Sequence, residues 1–573
     1  MKTKIYRRLA ILLLTTTVFS SCSDFLDIEK PNTIDIKDAY ANSSDALAGV
    51  TAAYAPMLWE FQNNVGSAYF PEWFIGDVCS DDALKGSNSL SDMETLYEME
   101  NFKTRSDNTS LWWFYRCQYI GIFRCNQVFD VVPYMDPTLF SGDLQNRIIG
   151  EALFLRAYYY LRLARVFGGV PLVDSIIKYQ DEWKKKRASA EDIYNFIYDD
   201  LVLAIQYLPE KYAPADLGRA TKGAARALLM KAYMANVCGT DAEKQQRIDA
   251  AKLQGDTIID SNVYSLVTVP VTISYEGTDE NQDPITIELK YNPYEYIFTL
   301  EGENNTESVF EAQYIGDGGS DLWNGLGYTI ASIAPLLTRP RWGQYEGWGF
   351  NRPTQELYDE FELGDMRREA TIYNPTEGQL AASDDNTMNL NVYLGNRYTS
   401  LKYVMMRKDT TFIKSLRDNI ASINRKDTRY SDVLLLYAET CCKSTTPNYS
   451  KAKWALEEVR SRARIDEEGN VRNILPEFPN YRGYLDTPED LYKAIQHERR
   501  VELAMEGHRW FDLVRWGIAA EVMNNYRATT KPKIAEQMEP FVKGKHELFP
   551  IPLQERDMND MPQNPGYDGV PVN

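Results

Sequence analysis

Residues 151–171, EALFLRAYYYLRLARVFGGVP, decide the fold class. Ala152, Leu155, Tyr159, Leu163 and Val166 recur every three or four positions, which places them on one face of an α-helix. Gly168-Gly169-Val170-Pro171 cannot continue that helix and ends it. A second helix begins at Ser189, where Ser189 and Asp192 form a capping box, and Ile193, Ile197, Leu201 and Leu208 make its apolar stripe before Pro209. Thr221 opens a third, with Ala224, Leu228, Ala232 and Tyr233 on one face. The same mixture of small and large residues returns in Tyr430 to Cys442 and in Tyr449 to Arg464. Helix pairs of about 34 residues, with alanine at close crossings and Tyr or Leu in the gaps, predict tetratricopeptide-like units. The expected fold class is all-α, a scaffold of helix pairs.

Other stretches break this pattern. Val267, Val269, Val271, Ile273 and Tyr275 alternate with polar residues, and so do Ile285, Ile287, Leu289 and Tyr291 beyond the turn-rich Gly277 to Pro284. That alternation predicts a small inserted β-hairpin, with Pro270 marking an edge. Tyr69 to Ser91 and Gly316 to Phe350 are rich in Gly, Trp and polar residues and read as long irregular loops. Loops of that length on a helical scaffold are usually functional, and their aromatic content argues against disorder.

The chain begins as a secreted one does. Lys2, Lys4, Arg7 and Arg8 precede an uncharged run from Leu9 to Phe19, closed by Ser20-Ser21-Cys22. This is the pattern of a signal peptide, and the run is too short to span a bilayer. A cysteine directly after two small residues resembles a bacterial lipobox, although Phe19 stands where an aliphatic residue is usual. Acylation of Cys22 would tether the chain to a membrane without a transmembrane helix; the alternative is an ordinary signal peptide cleaved nearby. The expected organisation is a signal peptide at 1–21, a lipidated tether at 22–40 and one domain over 41–573, with an insert at about 262–350.

Charge and cysteine usage exclude several functions. Lys and Arg number 62 against 82 Asp and Glu, a formal charge of −20. Removing the four basic residues of the signal leaves 58 against 82, or −24. Such a body lacks the basic stripe that phosphate contacts require, so nucleic acid is not an expected partner, and Lys184 to Arg187 is only a short basic run. Cys79, Cys117, Cys125, Cys238, Cys441 and Cys442 fit neither a dense disulfide framework nor a metal knuckle, and most read as small buried apolar residues. With three histidines, a zinc or His-based site has little material. His497-Glu498 begins like HExxH, but Val501 stands at the second ligand position. The acidic loop from Asp279 to Asp283 carries oxygen ligands for calcium without the spacing of an EF-hand, so calcium stays open as a ligand.

Several blocks together carry a family resemblance. They are Cys22-Ser-Asp-Phe-Leu-Asp, Glu151-Ala-Leu-Phe-Leu-Arg-Ala-Tyr-Tyr-Tyr running into Phe167-Gly-Gly-Val-Pro, and Arg219-Ala-Thr-Lys-Gly-Ala-Ala-Arg-Ala-Leu-Leu. Arg429-Tyr-Ser-Asp-Val-Leu-Leu-Leu-Tyr-Ala-Glu, the run from Glu498 to Gly517, Leu548-Phe-Pro-Ile-Pro and Gln563-Asn-Pro-Gly-Tyr follow in order. Collinear over nearly the whole chain, they resemble the RagB/SusD family of outer-membrane nutrient-binding lipoproteins. The resemblance implies a tetratricopeptide-type scaffold whose loops build a carbohydrate-binding face. It also implies an oligosaccharide ligand, a SusC-like TonB-dependent transporter as partner, attachment to the outer membrane through a lipid anchor, and no catalysis.

Sugar chemistry then selects residues. Pyranose C–H patches stack on flat rings, and hydroxyls need carboxylate, amide or guanidinium partners. The first loop offers Trp73, Asp77, Asp81 and Asp82; the second offers Trp323, Asn324, Tyr328, Arg341, Trp342, Tyr345 and Trp348. A Trp in such a loop can instead pin the loop to the scaffold, and the acids can cap a turn. Glu498, Arg499, Glu502, Glu506, Arg509, Asp512 and Arg515 recur at helical spacing and read as a structural ion network, not as an active site. Two other function classes remain: an all-α glycoside hydrolase, which needs only a suitably spaced carboxylate pair, and a helical-repeat interaction module without a sugar site.

Overall fold

The computed structural model describes residues 38–60, 72–87, 89–278, 283–315, 331–339, 347–375, 393–404 and 422–572. The scaffold helices are α1 (Ser43–Tyr54), α2 (Glu72–Val78), α3 (Glu94–Glu100), α4 (Thr109–Val131), α5 (Leu144–Phe167), α6 (Ala190–Tyr207), α7 (Lys222–Ala235) and α8 (Asp241–Asp260). After a sheet-bearing middle come α9 (Tyr430–Lys443), α10 (Tyr449–Arg462), α11 (Pro488–Glu502), α12 (Arg509–Arg515) and α13 (Ala519–Thr529). Helices α4 to α8 pack each on the next, α8 packs on α9, and α9 packs on α10 and α11, so the helix-pair expectation holds. The capping signals hold too. Ser189 accepts from the Asp192 N–H and Asp192 reaches back, and Thr221 accepts from Ala224 N–H.

Small residues set the crossings. A Cβ on Gly121 would sit 2.3 Å from the Tyr159 ring, so α4 lies against α5 only because position 121 has no side chain. One apolar core runs from Ala46 to Met561. All six described cysteines are free; five are buried and Cys238 is half-buried.

Strands occur in antiparallel pairs. β1 (Ala83–Gly86) pairs with β5 (Phe350–Pro353), β2 (Val271–Thr278) with β3 (Pro284–Tyr291), and β4 (Ser308–Ala312) with β8 (Arg425–Arg429). The short β6 (Ile372–Tyr373) pairs with β7 (Thr399–Ser400). The β2–β3 pair is the inserted hairpin, and Ile273, Tyr275, Leu289 and Tyr291 form its own small core. It starts later than the alternation predicts. Val267 and Val269 precede the strand, because Ser265 N–H donates to Thr306 O at 3.0 Å and Val267 N–H to Glu307 at 3.4 Å, tying that stretch to the scaffold. The acidic turn from Asp279 lies, except for Asp283, outside the described residues.

The 498–515 block is structural. Five fully buried cations, Arg367, Lys402, Arg429, Arg460 and Arg462, face five fully buried carboxylates, Glu307, Asp365, Glu498, Glu502 and Glu506. Arg429 reaches Glu307 at 2.6 Å, Glu502 at 3.0 Å and Glu506 at 2.7 Å. Equal numbers of the two signs let the cluster stay charged in a medium that penalises a lone ion by several kcal/mol.

At its edge His497 sits 2.6 Å from Glu360 and 3.4 Å from Glu362. Against the penalty of burial, His497 and neighbouring arginines hold both carboxyls down to about 2, and the two glutamates raise the imidazole above its ordinary 6.5. A raised histidine stabilises fully below its unfolded pKa and loses that contribution as pH rises through the folded value; lowered carboxyls lose theirs as pH falls toward about 2. The urea midpoint of the wild-type chain relative to His497→Gln is therefore expected to fall between pH ~6 and pH ~9. A pH-independent difference would contradict it.

Candidate functional site

Several stretches outside the described residues are flanked by residues that meet one another. The buried Glu60, just before 61–71, accepts from the Tyr314 hydroxyl at 2.7 Å, Ser332 Oγ at 3.4 Å and Ile333 N–H at 3.1 Å. Tyr314 precedes 316–330, and Ser332 and Ile333 follow it. Arg425, just after 405–421, lies 3.9 Å from the same carboxylate. Asn424 Oδ1 accepts from Tyr314 N–H at 2.9 Å, and Arg339 Nε donates to Val404 O at 2.8 Å, which joins the stems of 340–346 and 405–421. Burial raises the Glu60 pKa, opposed by Arg425 and the Tyr314 and Ile333 hydrogen bonds. Residues flanking 61–71, 316–330 and 405–421 thus meet at Glu60, and Arg339 and Val404 join the flanks of 340–346 and 405–421.

Aromatic rings floor this base. Trp73 lies 6.5 Å from Tyr403 between ring centroids, and Tyr403 meets Phe298 edge-on at 5.5 Å. Trp348 is half-buried, and its backbone N–H donates to Leu336 O at 2.7 Å. Of the second-loop residues singled out by sequence, Trp348 is the described one. Trp323, Asn324, Tyr328, Arg341, Trp342 and Tyr345 lie outside the described residues, as does Cys22.

The first-loop expectation needs correction. Residues 72–87 are not an irregular loop but helix α2, a turn and strand β1, all buried. Trp73 is 6 % exposed and belongs to the core. Asp77 accepts from Gly507 N–H at 2.8 Å and Asn351 Nδ2 at 3.0 Å, and burial pushes its pKa up to about 7. Asp81 is gripped by Arg509 at 2.8 and 3.0 Å and by Arg500 at 2.9 Å; these guanidiniums overcome the burial penalty and hold its carboxyl below the usual range. Asp82 pairs with Arg500 at 2.7 Å, while burial and the Asp81 charge raise it to about 6. All four are supports beneath the loop base, with no ring or carboxylate face left for a sugar. The all-apolar Trp73-Phe74-Ile75-Gly76 was the signal that a buried helix starts there.

Sequence reasoning missed Glu60, Tyr314 and Arg425. No local pattern marks them, because Tyr314 and Arg425 lie 254 and 365 residues along the chain from Glu60. Among the described residues no group of His, Cys, Asp or Glu is arranged to hold a metal ion, and no helix is long and apolar enough to cross a membrane.

Comparison with known proteins decides the family. The SusD family profile matches residues 306–567, and a second SusD-like profile, described as starch-binding and associating with the outer membrane, matches residues 24–234. The chain belongs to the SusD family. A SusD-like protein of Bacteroides ovatus is 25 % identical over 527 residues, covering 90 % of this chain and 83 % of that protein. Among solved structures, a laminarin-binding SusD-like protein superposes with a TM-score of 0.68 at 25 % identity, covering 92 % of this chain and all of the other. Surface glycan-binding protein A from Bacteroides fluxus superposes with a TM-score of 0.70 at 23 % identity, covering 91 % and 99 %. The two solved relatives are named for binding, one of surface glycan and one of laminarin.

Proposed function

We propose that this SusD-family chain is a lipoprotein, acylated at Cys22 and held at the outer-membrane surface, that captures oligosaccharides and passes them to a SusC-like TonB-dependent transporter. The observation that carries the reading is the meeting at Glu60 of the residues that flank 316–330, the stretch that holds Trp323, Asn324 and Tyr328, while Arg339, just before the stretch that holds Arg341, Trp342 and Tyr345, donates to Val404 O. Trp348 follows the second of these stretches in the chain. Rings would take the C–H faces of pyranoses and the amide and guanidinium groups their hydroxyls. Delivery requires release, so binding in the micromolar to millimolar range, roughly −8 to −4 kcal/mol, suits the role.

A β-glucan hexasaccharide is the first probe, because a relative at 25 % identity is named for laminarin binding. Calorimetric titration, extended to a glycan array, should find a saturable ligand, and Trp323→Ala with Trp342→Ala should weaken it about tenfold or more, the range of lost aromatic contacts. Incubation should release no new reducing ends. New ends would support the hydrolase reading, and affinities indifferent to both Trp changes, or no glycan bound at all, would support the interaction module.

A further inference from the structure

The four most exposed aromatic rings among the described residues lie on α4 or against its end: Tyr134 at 85 %, Tyr179 at 67 %, Trp183 at 63 % and Phe123 at 48 %. Phe123 is on α4 itself, and Tyr134 and the exposed Leu139 lie in the turn that joins α4 to α5. Tyr179 stands midway round a loop closed by the Pro171–Arg187 bridge, and Trp183 follows it across one short turn. That loop runs along α4. The Tyr119 hydroxyl donates to Pro171 O at 2.6 Å, Asn126 Nδ2 to Val173 O at 2.9 Å, and Ile176 N–H to Asp130 at 3.2 Å. Its tip therefore reaches the end of α4, beside the turn that carries Tyr134. A single exposed ring needs no explanation, but three on two adjoining tips make a patch.

Two observations say what covers it. The first is charge. Residues 130–143 and 174–187 together carry five bases and six acids, and Lys178 lies 3.9 Å from Asp130. Near-balance leaves no net field to capture a polyanion, so the attracting groups are the amphipathic rings, which concentrate at the headgroup level of a bilayer. The second is the tether. Asp38 stands 16 positions after Cys22, a reach of at most ~58 Å at full extension, less than the width of a body whose radius of gyration is about 25 Å. An anchor at Cys22 thus keeps the body against lipid. The chain enters the described structure close to α4: the Tyr40 ring packs against Gly49 of α1, and α1 lies on α4, where Arg124 donates to Ala52 O at 2.7 Å. Tyr134 is ten residues beyond Arg124, ~15 Å along the helix direction.

We infer that this end of the scaffold is the face turned to the membrane: Tyr134, Tyr179 and Trp183 sit in the headgroup region of the bilayer, their rings against the upper acyl chains and their hydroxyl and indole N–H groups toward ester, phosphate and water. Lys178, on the same tip, carries its ammonium to the phosphate level while its stem lies along the rings. The inference rests on the lipoprotein reading above, because acylation supplies the attachment and the rings supply its orientation. A protein surface covering the same rings is the competing occupant.

Hydroxyl-radical footprinting of the acylated chain on phosphatidylcholine vesicles tests the face, with the unacylated Cys22→Ala chain free in solution as the reference. Oxidation of Tyr134, Tyr179 and Trp183 is expected to slow about threefold or more on the vesicles, because rings about two-thirds exposed or more lose most of their contact with water, while Trp454, exposed on α10, keeps its rate. Tyr134→Ser, Tyr179→Ser and Trp183→Ser combined, at exposed positions that leave the urea midpoint unchanged, are expected to release the protection of Leu139 beside them. Four results would overturn the inference and leave the anchor standing: a chain that pellets with the vesicles while its three rings oxidise at the free rate, Trp454 slowed to the same degree, Leu139 still protected in the serine chain, or protection seen only in outer membranes that contain the transporter. A chain that does not pellet with the vesicles would overturn both readings.

Discussion

Replacing Glu502 with alanine is expected to remove about 3–5 kcal/mol of stability, enough to leave little folded protein at ordinary temperature. The side chain is fully buried and faces Arg367 at 3.0 Å, Arg429 at 3.0 Å and Arg462. Three guanidiniums hold its carboxyl below the ordinary range in spite of burial. Without it the balance of five cations and five carboxylates is lost, and the uncompensated charge cannot reach water. Glu502→Gln keeps the shape but brings N–H donors against other donors, so it should recover little. The control is Lys453→Ala, whose partner Asp486 is 61 % exposed and whose loss should cost under about 1 kcal/mol. Soluble yield and the urea midpoint measure both, and a Glu502→Ala midpoint no lower than that of the control would sink the account.

The second large effect belongs to Gly507, where α2 rests backbone to backbone on the turn before α12. Gly507 has φ +81°, and a Cβ there would lie 2.2 Å from Trp73 Cα and 2.5 Å from its carbonyl oxygen. The reciprocal contact is as close, since a Cβ on Gly76 would meet the Gly507 oxygen at 2.0 Å. Gly507→Ala therefore combines a left-handed penalty of about 1–2 kcal/mol with overpacking of about 1–3 kcal/mol. It also pushes α2 away from the Gly507 N–H that Asp77 accepts. Gly483 separates the two terms, because its φ is +73° with nothing within 4 Å of a built Cβ. Gly483→Ala should show the smaller conformational cost alone. Equal urea midpoints for the two variants would mean that the α2 contact yields without strain.

Both predictions concern parts of the molecule that read very differently in the sequence. The Glu498–Arg515 spacing already announced an ion network; Arg499, Asp512 and Arg515 pair with one another, whereas Glu498, Glu502 and Glu506 take Arg367, Lys402, Arg429, Arg460 and Arg462 from other segments and Arg509 takes Asp81. The run around Trp73 reads as a sugar-facing loop in the sequence, because Asp77, Asp81 and Asp82 sit beside aromatic residues with no local partner. Their partners are Gly507, Arg509 and Arg500; Arg509 is 428 residues from Asp81. The Glu60 base was illegible for the same reason.

The sequence by itself determined the paired helices, their caps, the inserted hairpin and the family, because each depends on periodicity, turn chemistry or blocks a few residues long. Only the tertiary structure decided which polar residues are supports and which stretches share a base. A carboxylate becomes a structural counter-ion or a free surface group according to what distant segment folds against it, and desolvation, which sets its pKa and its partners, exists only once the chain has closed around it.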